Sequence, residues 1–188
     1  MSHYLSQSLI FEQDRIYFIN ANGHEHQVMM SWEDDLMREH ANYVCTNGGD
    51  ILEIGFGMGI SAGYIQANNP NSHTIIENHP DIIPKALEWA ADKPNVTIVQ
   101  NSWYDALPEL TTYDGVFFDT YGDRDLFRFE EVLPGLVKPG GLATWWNIKD
   151  SAESIFNFDG ITYQEIAITP PENSYFNSSV YYLPKKQF

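Results

Sequence analysis

A glycine-rich turn between a short apolar run and a helical pattern is the feature that most constrains the fold of this chain. The run Ile51–Ile54 leads into glycines at 55, 57 and 59, and apolar residues then recur at helical spacing as far as Ile65. A strand, a glycine turn and a helix in this order open a doubly wound α/β domain, whose first turn holds a ligand. The glycines let the backbone approach that ligand closely.

The glycine spacing distinguishes between two kinds of ligand. A dinucleotide site has the form G-x-G-x-x-G, but the third residue after Gly57 is Ile60. The chain instead has E-x-G-x-G-x-G, with Glu53 two residues before Gly55. This form resembles the first motif of class I methyltransferases, which bind S-adenosylmethionine, a cationic nucleoside without phosphates whose positive side Glu53 could face. The alternative is a glycine turn that joins a strand to a helix and binds nothing.

Composition and charge narrow the class of protein. The chain has 188 residues, of which 43% are hydrophobic, and this suits one domain with its own core. Its formal net charge of -16 repels the phosphates of nucleic acids and anionic membranes and attracts cationic ligands, although it could also serve solubility alone. There is one cysteine and no apolar run long enough to span a membrane, so we expect a cytoplasmic protein without disulfides. His24 and His26 flank a predicted turn, and we expect them at the surface and no metal site.

Alternating strand and helix patterns predict a Rossmann-like, mostly parallel, doubly wound sheet with an antiparallel C-terminal strand pair. After the first strand and helix, strands are predicted at 74–77, 96–99, 113–118 and 142–146, helices at 82–91 and 126–136, and the closing pair at 161–168 and 180–183. The segment Lys138-Pro139-Gly140-Gly141 is predicted to stop the last helix ahead of the fifth strand.

The N-terminal part is predicted to form a small β-rich cover over residues 1–30, packed on a methyltransferase domain over residues 31–188, in one structural domain overall. A helix is predicted from Ser31 to Thr46, with Ser31 as its N-cap. The acids Glu33, Asp34 and Asp35 would lie in its first turn, where the helix dipole favours negative charge.

Polar side chains follow the predicted strands at the edge where a doubly wound sheet binds its ligand. Glu77 ends the second strand, where a carboxylate can accept both ribose hydroxyls of a nucleoside. Ser102 and Trp103 follow the third strand, and the indole suits an adenine; Asp119 ends the fourth strand. Each residue alone could be a surface acid or a core aromatic, but the ordered set favours a nucleoside site.

Five segments together carry a closer resemblance, which extends over roughly residues 26–147. They are VMMSWEDDLM (28–37), ILEIGFGMGIS (51–61), HTIIEN (73–78), FFDTY (117–121) and LVKPGG (136–141). The chain resembles guanidinoacetate N-methyltransferases and the related fungal type of arginine N-methyltransferase, which modifies an internal guanidino nitrogen. The W-E pair after V-M-M, GFGM and D-T-Y are the parts specific to this group.

The first motif and the resemblance together imply residue roles. Contacts to S-adenosyl-L-methionine are predicted for Met37, Glu53, Gly55, Gly57, Met58, Gly59, Ile60, Ser61, Glu77, Asn78, Ser102, Trp103 and Asp119. The resemblance implies that Glu33 and Asp119 hold the guanidino group of the acceptor. Thr120, Tyr121, Trp145, Trp146 and Asn147 lie at the ends of the fourth and fifth strands and could line its pocket.

Two carboxylates suit this chemistry. A guanidinium is planar, and its donors form a fork that matches a carboxylate bidentately. At ~5 Å and an effective dielectric of about 20, its repulsion from a sulfonium is roughly 3 kcal/mol, which two acids offset. We assign Asp119 as the proton acceptor and Glu33 as the clamp. The alternatives are a helix-start acid for Glu33 and a strand-end cap for Asp119.

The sequence therefore predicts an S-adenosylmethionine-dependent N-methyltransferase that acts on a small cationic guanidino compound. A protein-arginine N-methyltransferase and a non-catalytic S-adenosylmethionine-binding module are the alternatives, and homodimerisation is left open. The tail that contains Tyr175 and Tyr181 could fold over the acceptor, or both tyrosines could be core residues.

Overall fold

A central sheet with helices on both faces organises the chain in a computed structural model, which describes residues 4–188. The strands are β1 Ile10–Phe11, β2 Arg15–Ile19, β3 Glu25–Met30, β4 Asp50–Ile54, β5 Ser72–Glu77, β6 Val96–Gln100, β7 Tyr113–Phe118, β8 Val137–Trp145, β9 Thr162–Ala167 and β10 Val180–Gln187. The α-helices are α1 Asp34–Val44, α2 Ile60–Ala67, α3 Ile83–Ala90, α4 Trp103–Ala106 and α5 Phe129–Leu136. Short 3₁₀ segments lie at Tyr4–Ser6, Ser31–Glu33, Leu107–Glu109 and Leu126–Arg128.

The seven-stranded sheet has the order β6-β5-β4-β7-β8-β10-β9. Strands β6, β5, β4, β7 and β8 pair in parallel, and β10 runs antiparallel to both β8 and β9. The chain leaves β4 toward β5 on one side and later returns to β7 on the other, so the strand order switches beside β4. Ligands of open α/β sheets bind at such a switch, outside the carboxyl ends of the strands. The predicted Rossmann-like fold with its antiparallel C-terminal pair is confirmed.

Side-chain alternation along the central strands explains why both faces of the sheet are covered. On one face, Ile51 and Phe117 pack with buried residues of α1 and α2. On the other face, Leu52 and Phe118 pack in one cluster with α4 and α5. After Asp50 at its start, strand β4 is therefore apolar on both sides, apart from Glu53.

The predicted N-terminal β-rich cover is a three-stranded sheet of order β1-β2-β3, and residues 1–3 of its predicted range lie outside the described part of the chain. Met29 of β3 reaches the glycine turn, where its sulfur accepts a hydrogen bond from the Met58 amide at 3.2 Å. The Leu9 amide donates to Asp81 beyond β5 at 2.9 Å. Among the described residues, no helix is long and apolar enough to cross a membrane.

Two local predictions were wrong. Ser31 does not cap α1, because Ser31–Glu33 forms a 3₁₀ turn between β3 and α1, and the residue directly before α1 is Glu33. The Glu33 carboxylate instead accepts the Met30 amide at 2.9 Å. The segment Lys138–Gly141 does not precede the fifth strand but belongs to β8. Backbone hydrogen bonds tie it to Phe188: the Gly140 amide donates to the Phe188 carbonyl at 2.6 Å, and the Phe188 amide donates to the Gly141 carbonyl at 3.0 Å.

Gly55 provides the first test of this architecture. It has a φ of +97°, and a Cβ there would lie 1.8 Å from the Asp119 carbonyl oxygen. We expect Gly55→Ala to lower the free energy of unfolding by roughly 2–3 kcal/mol, because both strain and a backbone clash oppose it. Urea denaturation measures this change.

Gly63→Ala is the matched control, since a Cβ at this position in α2 would meet nothing within 4 Å. It should raise the free energy of unfolding by up to about 1 kcal/mol. Equal effects of the two substitutions would contradict the close approach of the turn to the end of β7.

Candidate active site

One cavity opens at the carboxyl ends of β4, β5, β6 and β7. Its volume of about 550 Å³ is within the usual range of small-molecule sites. Many of the residues predicted from the sequence line it together. They are Glu33, Gly55, Gly57, Ser61, Glu77, Asn78, Ser102, Trp103, Asp119, Thr120, Tyr121 and Trp146.

Other predicted residues lie outside this lining. They are Met37, Glu53, Met58, Gly59, Ile60, Trp145 and Asn147. Met37 is fully buried in the core between α1 and the sheet. Gly59, with a φ of +73°, precedes the first residue of α2, Ile60, so these two positions shape the turn without facing the cavity.

The glycine turn has the form of a backbone cradle. Gly55 and Gly57 both line the cavity with positive φ, of +97° and +53°. A Cβ at Gly57 would lie 2.5 Å from the sulfur of Met29, so the N-terminal sheet packs directly against the turn. Only glycine fits at these two positions, and the space in front of them can accept a ligand that approaches the backbone closely.

Glu53 lies behind the turn, not in front of it. It is fully buried, and its two carboxylate oxygens accept a hydrogen bond from the Ser61 hydroxyl and contact His73 Nε2 at 2.9 Å. The sequence suggested that Glu53 could face a ligand directly, but the Glu53 side chain does not line the cavity. Ser61, which does line the cavity, connects Glu53 to the site.

Glu77 is buried at the end of β5, and the backbone already binds most of its carboxylate. Oε1 accepts the amides of Asn78 and His79, both at 2.8 Å, and Oε2 accepts the Phe56 amide at 3.0 Å. A carboxylate has about four lone-pair positions, so at most one remains for a ligand hydroxyl. The sequence suggested that Glu77 accepts two hydroxyls, but the structure leaves room for one.

Trp103 lines the cavity, and a ring contact and a hydrogen bond hold its indole in place. Its ring packs on Phe129 with centroids 5.4 Å apart, and Nε1 donates to Asp123 at 2.6 Å. The Thr120 hydroxyl donates to the same Asp123 oxygen at 3.2 Å. Tyr121 lies under the N-terminal segment, with its ring 4.9 Å from that of Tyr4.

Glu33 is held at the cavity by two donors on one oxygen. Its side chain is 3% exposed, and Oε1 accepts the Met30 amide at 2.9 Å and the Tyr175 hydroxyl at 2.6 Å. Burial, and then the negative charge of Asp119, raise its pKa to about 8, although the two hydrogen bonds oppose this shift. Its other oxygen has no hydrogen-bond partner within residues 4–188.

Asp119 follows β7, and its backbone amide donates to the Ile54 carbonyl at 2.8 Å. In the described part of the chain, no hydrogen bond or ion pair satisfies its carboxylate, which lines the cavity. Burial, and then the charge of Glu53, raise its pKa to about 7. Two carboxylates from separate elements therefore face one cavity without a cationic partner.

The aromatic side chains of Trp32, Trp146 and Tyr175 pack together next to these acids. Tyr175, from the segment between β9 and β10, stacks on Trp32 with centroids 6.2 Å apart and accepts a hydrogen bond from the Trp32 indole at 3.2 Å. Trp146 lies edge-on to Tyr175, also at 6.2 Å, and both line the cavity. One of the two sequence interpretations of Tyr175, that the tail folds over the site, agrees with this position.

Trp145 and Asn147 point into the interior. Trp145 is fully buried and packs on Phe156 with centroids 5.3 Å apart. The Asn147 amide donates to two backbone carbonyls at 3.0 and 2.9 Å. Because successive side chains of a strand face opposite sides, Trp146 faces the cavity when Trp145 faces the core.

Sequence reasoning missed several lining residues. Tyr4, Val28, Met29, Asp123 and Arg124 line the cavity, but the sequence analysis gave none of them a site role. The V-M-M segment before the W-E pair was a signal for Met29, because it lies next to a predicted site residue. Asp123 lies in an irregular loop, and nothing in the sequence pairs it with Trp103.

The fold and the cavity define a class I methyltransferase-like protein, in which a glycine turn, a strand-end acid and an aromatic wall surround one site. A family model described as guanidinoacetate N-methyltransferase matches residues 19–166. The chain belongs to this family, as the resemblance indicated.

Curated relatives agree with this assignment. A protein from Aspergillus oryzae named protein arginine N-methyltransferase 2 is 37% identical over 177 residues, which cover 88% of this chain and 41% of that protein. The protein of the same name from Candida glabrata is 32% identical over 219 residues, covering 98% of this chain and 52% of that protein. The chain thus spans about half, or less, of the length of these relatives.

Solved structures agree with the fold at low sequence identity. Spermidine synthase from Thermotoga maritima superposes with a TM-score of 0.64 and 11% identity, covering 96% of this chain and 72% of that chain. SMU.776, described as a methyltransferase complexed with SAH, has a TM-score of 0.60 and 13% identity, covering 95% of this chain and 57% of that chain. These likenesses show the fold alone.

The raised pKa values predict that the acids destabilise the ligand-free protein at high pH. A buried acid with a raised pKa keeps its proton longer in the folded than in the unfolded chain, so stability falls as pH rises from about 4.5 through about 8. Gln at position 33 can still accept both hydrogen bonds. We expect Glu33→Gln to raise the melting temperature at pH 8.5 by roughly 2–4 °C, and by less at pH 5.

Glu165→Gln, at an exposed position in β9, is the control and should change the melting temperature equally at both pH values. Thermal unfolding followed by circular dichroism gives the comparison. A Glu33→Gln variant that is less stable than the parent at both pH values would contradict the assignment of a strained, buried acid.

Proposed function

We propose that this chain transfers a methyl group from S-adenosylmethionine to a guanidino nitrogen of a small cationic molecule. The observation that carries the proposal is the pair Glu33 and Asp119, two acids that line one cavity beside a glycine cradle and form no ion pair with any residue from 4 to 188. Membership of the guanidinoacetate N-methyltransferase family supports it.

The residues present fit the cofactor. Gly55 and Gly57 give the backbone cradle, Glu77 has room for one ribose hydroxyl, and Trp103 offers a flat wall to the base. When bound, the cofactor supplies an electrophilic methyl group on a sulfonium. The two acids compensate for the positive charge that cofactor and acceptor together bring into the cavity.

Glu33 and Asp119 have separate tasks. Glu33 is fixed through Oε1, so its other oxygen can clamp the donors of a guanidinium. In the transfer, the guanidino nitrogen forms a bond to the methyl carbon, the carbon–sulfur bond breaks toward sulfur, and a proton from that nitrogen passes to Asp119. Asp119 suits this task because its carboxylate has no hydrogen-bond partner in the described part of the chain and its pKa is raised to about 7.

A protein-borne arginine is the second candidate acceptor. The relatives from Aspergillus oryzae and Candida glabrata, which align with most of this chain, are named protein arginine N-methyltransferase 2. Ile148 at the cavity lining is 57% exposed, and an apolar rim of this kind would also suit a peptide stem. Both candidates share the guanidino group and the two acids.

Substitution of each acid tests the proposal. We expect Asp119→Asn and Glu33→Gln each to lower turnover by about 10²–10⁴-fold, because positioning and proton removal both depend on the carboxylates. Affinity for S-adenosylhomocysteine should change little. Mass spectrometry of reactions with labelled cofactor and a panel of guanidino compounds measures the first quantity, and calorimetry the second.

Glu165→Gln should retain full activity and serves as the control. If both acid variants also retained full activity, the assignment of the acceptor pocket would be wrong. If the protein failed to bind S-adenosylhomocysteine at all, the proposed cofactor would be wrong as well.

The pH dependence follows from the same acids. Clamping and proton acceptance need ionised carboxylates, so kcat/KM should rise with pH through about 7–8, the range of the raised pKa values. Tyr175→Phe removes a hydrogen bond that lowers the pKa of Glu33, and the profile should shift to higher pH. A flat profile between pH 6 and 9 would contradict the roles given to both acids.

A further inference from the structure

A buried polar network lies behind the glycine turn, where β4, β5 and α2 meet. The Glu53 carboxylate accepts a hydrogen bond from the Ser61 hydroxyl at Oε1, and His73 Nε2 lies 2.9 Å from its Oε2. The side-chain amide nitrogen of Gln66 lies 3.2 Å from the other ring nitrogen of His73. Glu53 and His73 are fully buried, and Ser61 is the member of this network that lines the cavity. The network therefore connects the interior of the protein to the site.

Strand register brings Glu53, His73 and Asp119 to one side of the sheet. In the parallel pair of β4 and β5, His73 lies opposite Ile51, two residues before Glu53. In the pair of β4 and β7, Phe117 lies opposite Glu53, two residues before Asp119. Because alternate residues of a strand share a face, these side chains leave the sheet in the same direction. Since β4 lies between β5 and β7, Glu53 stands between the other two.

The hydrogen bonds of His73 define its orientation toward Glu53. An ionised carboxylate is an acceptor only, so Nε2 of His73 carries a hydrogen and donates it. Nδ1 can accept from the Gln66 amide group in a neutral ring, or donate to the Gln66 carbonyl in a charged one, because the two ends of an amide can exchange places. Glu53 thus keeps a donor on each oxygen in either state of His73, and such hydrogen bonds favour an ionised carboxylate.

The same network determines what Ser61 offers to a ligand. A hydroxyl has one hydrogen and two lone pairs, and Ser61 gives its hydrogen to Glu53. Its oxygen is therefore available to the cavity only as an acceptor, with a carboxylate directly behind it. Polarisation by that charge strengthens a hydrogen bond from a cationic donor. In S-adenosylmethionine the sulfonium has no hydrogen to donate, so the cationic donor is the ammonium group of the amino-acid end.

Glu53 also acts on Asp119 through its charge. Burial, and then the charge of Glu53, raise the pKa of Asp119 to about 7, which suits a proton acceptor near neutral pH. Other titratable groups face these two acids from α1, from its two flanks and from the C-terminal segment: Glu33, Cys45, Tyr175 and Tyr181. A change of charge at Glu53 therefore changes the basicity of Asp119.

We propose that His73 is a positioning residue that fixes the Glu53 carboxylate behind the glycine turn. From there Glu53 holds the Ser61 oxygen toward the ammonium group of S-adenosylmethionine, and its charge acts on Asp119. This inference rests on the proposed function, and it gives a task to two buried residues that do not line the cavity. They influence both the cofactor and the proton acceptor from behind the site.

Glu53→Gln tests the charge alone. The glutamine keeps the hydrogen bonds, because its carbonyl accepts from Ser61 and its amide donates to the other tautomer of His73. We expect the ratio of kcat/KM at pH 5.5 to that at pH 9 to rise roughly three- to tenfold, since Asp119 ionises at lower pH without the neighbouring charge. Glu165→Gln, which removes an exposed charge from β9, is the control and should leave the ratio unchanged.

A matched pair of variants tests the role of His73. His73→Gln retains an amide donor at the position of Nε2, whereas His73→Met is of similar size and has none. We expect His73→Met to raise the same pH ratio as Glu53→Gln does, because a buried carboxylate that loses a donor takes up a proton. His73→Gln should keep the ratio of the parent protein. If His73→Met does not fold, Glu53→Gln and the binding measurements decide.

Binding gives a readout that does not depend on turnover. Calorimetry compares S-adenosylhomocysteine with its analogue that lacks the amino group. We expect Ser61→Ala to weaken the binding of S-adenosylhomocysteine by about 5–50-fold and that of the analogue by less than about twofold, since only the first has an ammonium donor. Glu53→Gln should show the same selectivity with a smaller amplitude, of about three- to tenfold.

The inference is overturned if Glu53→Gln leaves the pH ratio unchanged, if His73→Met and His73→Gln behave alike, or if Ser61→Ala weakens both ligands equally. The network then only stabilises the packing of α2 on the sheet, and the proposed function stands. If the parent protein binds S-adenosylhomocysteine but methylates no guanidino compound, the proposed acceptor is wrong, whereas the binding selectivity still tests Glu53 and Ser61.

Discussion

Glu33 and Asp119 impose the physical constraint on which this site depends. Two carboxylates are largely withdrawn from water at one cavity, and residues 4–188 give the Glu33 carboxylate two hydrogen bonds and the Asp119 carboxylate none. Burying a charge is unfavourable unless it is paired, so in the absence of a ligand both groups respond with a raised pKa. The missing partners are positive charges from outside. A ligand pair of sulfonium and guanidinium has the charge that such a site lacks, which a neutral acceptor would not provide.

Backbone contacts connect the glycine turn after β4 to Asp119 after β7. The end of β4 and the end of β7 are neighbours in the sheet, and the Asp119 amide bonds to the Ile54 carbonyl directly before the glycine turn. The carbonyl of Asp119 occupies the space where Gly55 would carry a side chain. A change that moves the turn therefore also moves the acid. Under the proposed function, this backbone contact would set the distance between a methyl donor at the glycine turn and an acceptor at Asp119.

Some of this could be predicted from sequence, and the rest depended on tertiary contacts. The mostly parallel, doubly wound sheet followed from the glycine turn and the alternation of strands with helices, and the positions of Glu77 and Asp119 at strand ends followed from the same pattern. The direction of the Glu53 side chain could not be predicted, because an acid two residues before the glycines can face either the ligand or the helix. The contact with the buried His73 holds it away from the cavity. Tyr175 lies 142 residues from Glu33 in the chain, and no local pattern connects the two.

The acids of the site differ in how many hydrogen-bond donors the fold provides for their carboxylates. Glu53 has Ser61 and His73, and Glu77 has three backbone amides, so both are satisfied by the fold itself. Glu33 is half satisfied, with both donors on one oxygen. The Asp119 carboxylate accepts no hydrogen bond from the described residues, 4–188. An acid that the fold satisfies can shape a site but gains little when a substrate arrives, whereas an unsatisfied acid gains a full partner. Under the proposed function, substrate binding energy would therefore be concentrated at Asp119 and at the oxygen of Glu33 that accepts no hydrogen bond from residues 4–188.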